Sequence, residues 1–169
     1  MSLVVQVPAT SADLDQVRAL LRAFVDWHYD RHRDDARLID RYFDGAAFEA
    51  ELASLPGKYA PPDGQLLLAT RDAEPAGCVA LRGIDRYTCE MKRMFVYPDM
   101  QGGGVGRALA EAVLEEARRL GYSSMVLDTS IRQEEAQRLY RRLGFQQTEP
   151  YYELPEDVRG WLVFMRYEL

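Results

Sequence analysis

Apolar and polar positions recur with two different periods along this chain, and the changes of period mark its elements. Leu3 to Val7 reads as a short strand ended by Pro8. Thr10 then precedes Asp13 at the spacing of a capping box, and Leu14, Val17, Leu21, Phe24, Val25 and His28 follow at helical spacing. A second helix is predicted over Asp44 to Leu55, with Gly57, Pro61, Pro62 and Gly64 breaking the chain after it. Runs 65–71, 76–83 and 88–97 read as strands, the first two joined by a turn at Asp72–Pro75. Val105, Ala108, Leu109, Ala112, Val113, Ala117 and Leu120 return to the helical period, and Gly121 stops them. Residues 124–129 read as a buried strand. Ala136, Leu139, Tyr140 and Leu143 mark a last helix ended by Gly144. Residues 145–152 and 161–169 read as closing strands, the last carrying Trp161, Val163, Met165 and Tyr167 on one face.

The succession 88–97, 105–120 and 124–129 is strand–helix–strand, and a helical crossover joins parallel strands. The expectation is therefore an α/β fold with a mixed sheet of six or seven strands and about four helices. No repeat, low-complexity tract or linker interrupts the pattern, so residues 1–169 are expected to form a single domain.

Composition narrows the function classes. The 169 residues carry a net charge of −6, which argues against a nucleic-acid surface and is compatible with a cationic small substrate. Cys78 and Cys89 lie in apolar strand-like runs and read as buried thiols rather than a disulfide framework. The segment MSLVVQVPAT has no basic leader, and no apolar run approaches the roughly 18 residues of a membrane span, so a cytoplasmic, membrane-free protein is expected. His28 and His32 would share a helix face with Asp30 between them, but no third ligand accompanies them. They read as a solvated helix end, and no metal is expected.

The most informative segment is VYPDMQGGGVGR, residues 96–107. A strand ends, Pro98 turns the chain and glycines open a helix. Backbone N–H groups at a helix start are unpaired and the helix dipole favours negative charge there, so this arrangement suits an anion. Gly102, Gly103, Gly104 and Gly106 cost backbone entropy on folding, which argues against an idle turn. The Walker phosphate loop requires Gly-Lys followed by Ser or Thr, which is absent. The dinucleotide fingerprint requires a third small residue where Arg107 or Leu109 stands.

Gln101, Gly104 and Gly106 match the Gln/Arg-x-x-Gly-x-Gly/Ala signature of the GNAT superfamily of N-acetyltransferases, and residues 139–145, LYRRLGF, resemble that family's Leu-Tyr-x-x-x-Gly-Phe segment. The order of elements is similar over nearly the whole chain. The segments LPGKYAPPDG, CEMKRMFV and Pro150–Tyr152 resemble one bacterial branch of the superfamily.

The resemblance implies a GNAT fold with a sheet splayed in the middle, and acetyl-CoA as co-substrate. Gln101, Gly102, Gly103, Gly104, Val105 and Gly106 would hold the pyrophosphate, and Met94, Phe95 and Val96 would run beside the pantetheine arm. Arg107 either bonds a phosphate or remains solvated. Gln133 stands where many members place an asparagine that bonds the pantetheine or a water.

Tyr140 would be the general acid that protonates the departing thiolate. Glu90 would be the general base, or simply an ion-pair partner of Lys92 two residues along the same strand face. Trp27, Tyr29, Tyr59, Tyr151 and Tyr152 are candidates to wall the acceptor pocket, with Arg82 for a substrate carboxylate.

The implied activity is direct acetyl transfer to a primary amine of a small molecule. A protein lysine or N-terminal acetyltransferase and a non-catalytic acyl-CoA sensor are the alternatives. A homodimer is admitted by analogy.

Overall fold

The computed structural model describes residues 2–169. Along the chain lie β1 (Leu3–Gln6), α1 (Ser11–Arg31), α2 (Ala36–Tyr42), α3 (Gly45–Ala53), β2 (Gln65–Arg71), β3 (Glu74–Gly83), β4 (Thr88–Val96), α4 (Val105–Arg119), β5 (Ser124–Ser130), α5 (Glu134–Leu143), β6 (Gln146–Thr148), α6 (Glu156–Arg159) and β7 (Leu162–Glu168). The seven strands form one sheet in the order β1-β2-β3-β4-β5-β7-β6. β1 to β4 pair antiparallel, β4 and β5 pair parallel, and β7 lies antiparallel between β5 and β6.

Both faces of the sheet are covered. In β2, Leu66 and Leu68 pack with Leu20, Leu21 and Phe24 of α1, whereas Leu67 and Ala69 pack on the opposite face with Leu109 and Val113 of α4. A strand buried on both faces has no polar side to show, which is why QLLLATR is continuously apolar at its centre. The capping box at the start of α1 forms as the spacing predicts: the Thr10 hydroxyl accepts from the Asp13 N–H at 3.1 Å and the Asp13 carboxylate accepts from the Thr10 N–H at 3.1 Å. Both cysteines are free and buried. Among the described residues, no helix is long and apolar enough to cross a membrane.

Three sequence expectations are corrected. α2 and α6 are additional to the four expected helices; with seven and four residues they are too short to display a period. The closing strand 145–152 shrinks to β6, because the chain leaves the sheet after Thr148 and carries Tyr151 and Tyr152 back across it. Trp161 precedes β7 and packs with Leu162 and Phe164, on the face opposite Val163, Met165 and Tyr167.

The feature that positions the site is the parting of β4 from β5. Their register runs only from Thr88↔Ser124 to Glu90↔Val126. Beyond Glu90, β4 stays paired with β3, but through a bulge: Ala80↔Lys92 and Cys78↔Phe95 leave Arg93 and Met94 opposite Val79 alone. Arg93 takes a φ of 60°, a conformation costly for a residue with a side chain.

Its side chain is held firmly. The guanidinium donates to both oxygens of Glu51, at 2.8 and 3.1 Å, and lies over the rings of Phe43 and Phe48. Lys58 adds a second contact to Glu51 at 3.0 Å. Burial acts to raise the Glu51 carboxyl, but the hydrogen bonds and charges of Arg93 and Lys58 prevail and bring it to about 2.

Glu51→Gln is expected to lower stability by about 3 kcal/mol in urea unfolding at neutral pH, because it leaves a buried guanidinium without its counter-charge. A depressed folded-state pKa contributes stability above the unfolded value, and that stability disappears as pH falls through the folded one. The gap between wild type and variant should therefore narrow from pH 4.5 towards pH 2.

Candidate active site

The glycine segment sits where β4 ends and α4 begins. Gly102 and Gly104 have φ of 80° and 84°, left-handed values that glycine adopts without a side-chain clash. Thr10 caps α1 and Asp44 caps α3 through their side chains, but α4 starts at Gly104 with no side-chain cap and no acid in its first turn. Its first N–H groups are left available to an external anion.

These N–H groups border a groove of about 490 Å³. Gln101, Gly102, Gly104, Val105, Gly106 and Arg107 form one wall, Met94, Phe95 and Val96 a second, and Gln133 and Tyr140 a third. Trp27 lies here too, with Arg31 stacked 5.3 Å from its ring centroid, so it borders the glycine-loop groove rather than an acceptor pocket. Gly103 does not line the groove. A Cβ there would lie 1.9 Å from Nη2 of Arg71, so Gly103 backs onto the end of β2. Arg107 borders the groove while bonding Glu111 at 2.7 Å. Arg138 and Arg142 also border it, two cations the sequence reading passed over although they recur one turn apart on α5.

Where β4 and β5 part, a narrow throat of about 40 Å³ runs between them. Phe24, Met94, Gln133 and Tyr140 line both groove and throat. Tyr140 is only 4% exposed. Burial, reinforced by the charge of Asp128, raises its pKa and keeps the phenol protonated. The Gln133 amide is oriented by its own loop: its oxygen accepts from Thr129 Oγ1 at 2.9 Å and from the Ser130 N–H at 3.0 Å.

His28 also faces the throat, 2% exposed, with Nδ1 placed 2.9 Å from the Phe24 carbonyl oxygen. Burial, with a smaller contribution from His32, lowers its pKa to about 4, so it is neutral at physiological pH. The solvated helix end expected for His28 and His32 is thus overturned. Both are buried, because Trp27 packs on both rings and Phe24 and Phe43 pack on His28.

On the far side of the throat is a chamber of about 370 Å³ bordered by Arg82, Glu90, Lys92 and Tyr152. Arg82 and Glu90 are cross-strand neighbours in register, and Arg82 Nε lies 2.7 Å from Glu90 Oε1. The Tyr151 hydroxyl donates to the other oxygen of Glu90. Glu90 is 1% exposed with both oxygens engaged, and its ion-pair partner is Arg82, not Lys92. Directly opposite residues outcompete those two positions along a strand.

A second carboxylate, Asp128 of β5, accepts from Tyr42 and, at 2.6 Å, from Tyr152. Asp128 and Lys92 are functional candidates the sequence reading missed. Asp128 carried the same signal as Glu90, a lone carboxylate within a buried strand. Two acceptor candidates lie elsewhere. Tyr59 is fully buried in the core, and Tyr29 bonds Asp40 of α2, away from the throat and chamber. Among the described residues, no three metal-ligating side chains cluster.

Residues 17–145 match the sequence model of the acetyltransferase (GNAT) family. The chain belongs to that family. This N-acetyltransferase is 42% identical over 121 residues to an uncharacterised N-acetyltransferase of Schizosaccharomyces pombe, covering 70% of this chain and 72% of that one. It is 38% identical over 117 residues to the IAA acetyltransferase of Azospirillum brasilense, covering 67% and 75%. Among solved structures, the Salmonella typhimurium protein yncA, determined with its cofactor acetyl-CoA, superposes with a TM-score of 0.65 at 26% identity, covering 99% of this chain and 94% of that one. The enzyme's seven-stranded sheet, open in the middle, is that family's fold.

Removing Arg82 would strand the Glu90 carboxylate in the enzyme's interior. Arg82→Met is expected to lose about 2 kcal/mol of stability, a value below that of a fully buried pair because Arg82 is 39% exposed. Adding Glu90→Gln should recover part of the loss in a urea double-mutant cycle.

Proposed function

We propose that this N-acetyltransferase passes the acetyl group of acetyl-CoA directly to a primary amine of a small molecule. The observation that carries the reading is the sequence of spaces: a groove with an uncapped helix start, a throat between the parted strands, and a separate polar chamber, with Tyr140 exposed to groove and throat alike. In this reading acetyl-CoA, the cofactor bound in the Salmonella typhimurium structure, enters this enzyme from the groove side and the amine from the chamber.

The residues divide the work. N–H groups of the Gln101–Gly106 segment take the pyrophosphate, with Arg107, Arg138 and Arg142 supplying positive charge around it. The edge of β4 that faces β5 has no strand partner beyond Glu90, so Met94 to Val96 offer backbone groups to the amides of the pantetheine arm and an N–H to the developing oxyanion. The Gln133 side chain, its oxygen held by Thr129 and Ser130, lines both groove and throat and also contacts the His28 ring.

An alkylammonium must lose a proton before it attacks, since its pKa is near 10. The base we assign is Asp128, which lines the throat with Tyr140 and whose oxygens accept only from the neutral phenols of Tyr42 and Tyr152, rather than Glu90, which borders the chamber alone and is held by the Arg82 guanidinium as well as by Tyr151. The amine nitrogen bonds to the thioester carbon, the C–S bond breaks, and Tyr140 gives its proton to the departing sulfur. The remaining excess proton on nitrogen restores the phenol, and Asp128 releases its own to solvent.

Release of CoA thiol from acetyl-CoA, followed over a panel of small amines, tests the reading. Tyr140→Phe is expected to lower kcat by about 10²-fold with KM for acetyl-CoA little changed. Asp128→Asn should lower kcat/KM for the amine, while Glu90→Gln costs stability and leaves most of the turnover. If Glu90→Gln abolishes turnover and Asp128→Asn does not, the base is Glu90. Turnover on lysine peptides with none on any small amine would sink the small-molecule assignment.

A further inference from the structure

Two of the three cations that border the acceptor chamber are matched in ion pairs. Arg41 is bound to Asp157 at 2.7 Å and Arg82 to Glu90 at 2.7 Å. Asp128 has a phenol from Tyr42 and another from Tyr152. Lys92 alone, among the cations that border this chamber, enters no ion pair within the described residues. Its ammonium lies 5.5 Å from the Tyr42 ring centroid, a contact that offers attraction but no hydrogen-bond acceptor.

The position of Lys92 follows from the β4 bulge. Two consecutive basic side chains, Lys92 and Arg93, lie over the rings of the consecutive aromatics Tyr42 and Phe43. Arg93 is consumed by Glu51, whereas Lys92 borders both the throat and the chamber. Burial lowers its pKa, against the opposing charges of Asp128 and Glu90. An ammonium stripped of much of its water, with donors unspent, is a site for an anion.

We infer that Lys92 anchors a carboxylate of the acceptor, so that the small amine is an amino acid whose carboxylate lies only a few bonds from the reacting nitrogen. The inference rests on the small-amine reading above and adds the substrate class. Lys92 and Asp128 line the same throat, one cation and one anion, which is the complement of a zwitterion. A carboxylate has the two acceptor oxygens that the ammonium donors lack, while the ammonium end of the same molecule is drawn to Asp128 beside Tyr140. Arg82, the residue expected from sequence to bind a carboxylate, already spends its charge on Glu90.

The test uses the full-length enzyme, saturating acetyl-CoA and matched acceptors: L-phenylalanine against L-phenylalaninamide, and L-methionine against L-methioninamide, read by CoA thiol release. At least one free acid should exceed its amide in kcat/KM by about tenfold or more, the size of one charge-assisted hydrogen bond. The amide, having the less basic amine, would win on nucleophile availability alone, so the comparison is stringent. Lys92→Met should collapse that ratio towards one, and Lys92→Arg should restore most of it, with acetyl-CoA affinity by calorimetry unchanged in both. The wild-type ratio needs no variant to fold. Equal or better use of both amides by wild type, or a ratio that survives Lys92→Met, overturns the anchor while leaving small-amine acetylation standing. Absence of turnover on acids and amides alike, with lysine peptides acetylated, overturns both.

Discussion

The rest of the site depends on β4 leaving β5 after Glu90. A parallel pair that stayed in register would close the sheet, and no opening would connect its two sides. The diverging stretch beyond Glu90 carries the bulge at Arg93 and Met94, and the left-handed backbone of Arg93 is unfavourable by itself. The Arg93–Glu51 pair is therefore more than a stabilising contact, because it fixes a backbone shape that the local sequence does not prefer. Helix α3 supplies Glu51 and the ring of Phe48, and Phe43, just after α2, supplies the second ring over the guanidinium, so groups outside the sheet determine how its central strand bends.

Electrostatics differ on the two sides of that opening. The groove side is bordered by unpaired backbone N–H groups and by Arg107, Arg138 and Arg142. The chamber side mixes both signs: Glu90 is held by an arginine and a phenol and Asp128 by two phenols, while Lys92 and Glu153 border the space outside any ion pair among the described residues. Tyr140 stands between, held neutral by burial. Phenols hydrogen-bonded to carboxylates keep their protons, so Tyr42, Tyr151 and Tyr152 fix acids in place without adding charge to a poorly solvated region.

Much of the architecture was legible before any coordinates. The pattern marks all seven strands and the four longer helices, although β1 and β6, at the sheet edges, bury no regular face, and the glycine segment announces an anion site through backbone properties that sequence reports directly. What stayed hidden depended on contacts distant in sequence. Strand geometry offers Lys92 as one partner for Glu90, but the register that sets Arg82 opposite Glu90 appears only when β3 and β4 are paired. His28 reads as part of an exposed helix end because the helix alone does not reveal Phe43, beyond α2, closing over its ring. Tyr59 and Tyr151 are both tyrosines in loop-like stretches, yet one is core and the other reaches a carboxylate 61 positions away.

Tyr151 and Tyr152 are consecutive, yet one bonds a carboxylate of β4 and the other a carboxylate of β5. This dipeptide is a clasp across the mouth of the divergent strands, fastened at two points and carried by a segment that belongs to no strand. The groove residues lie at 24–31, 94–107 and 133–142, so the clasp is separate in the chain from the segments that border the groove. In the proposed reading the acceptor wall has two parts: Lys92 and Asp128 belong to the strands themselves, whereas the clasp after β6 can be exchanged, by evolution or by design, without touching the groove.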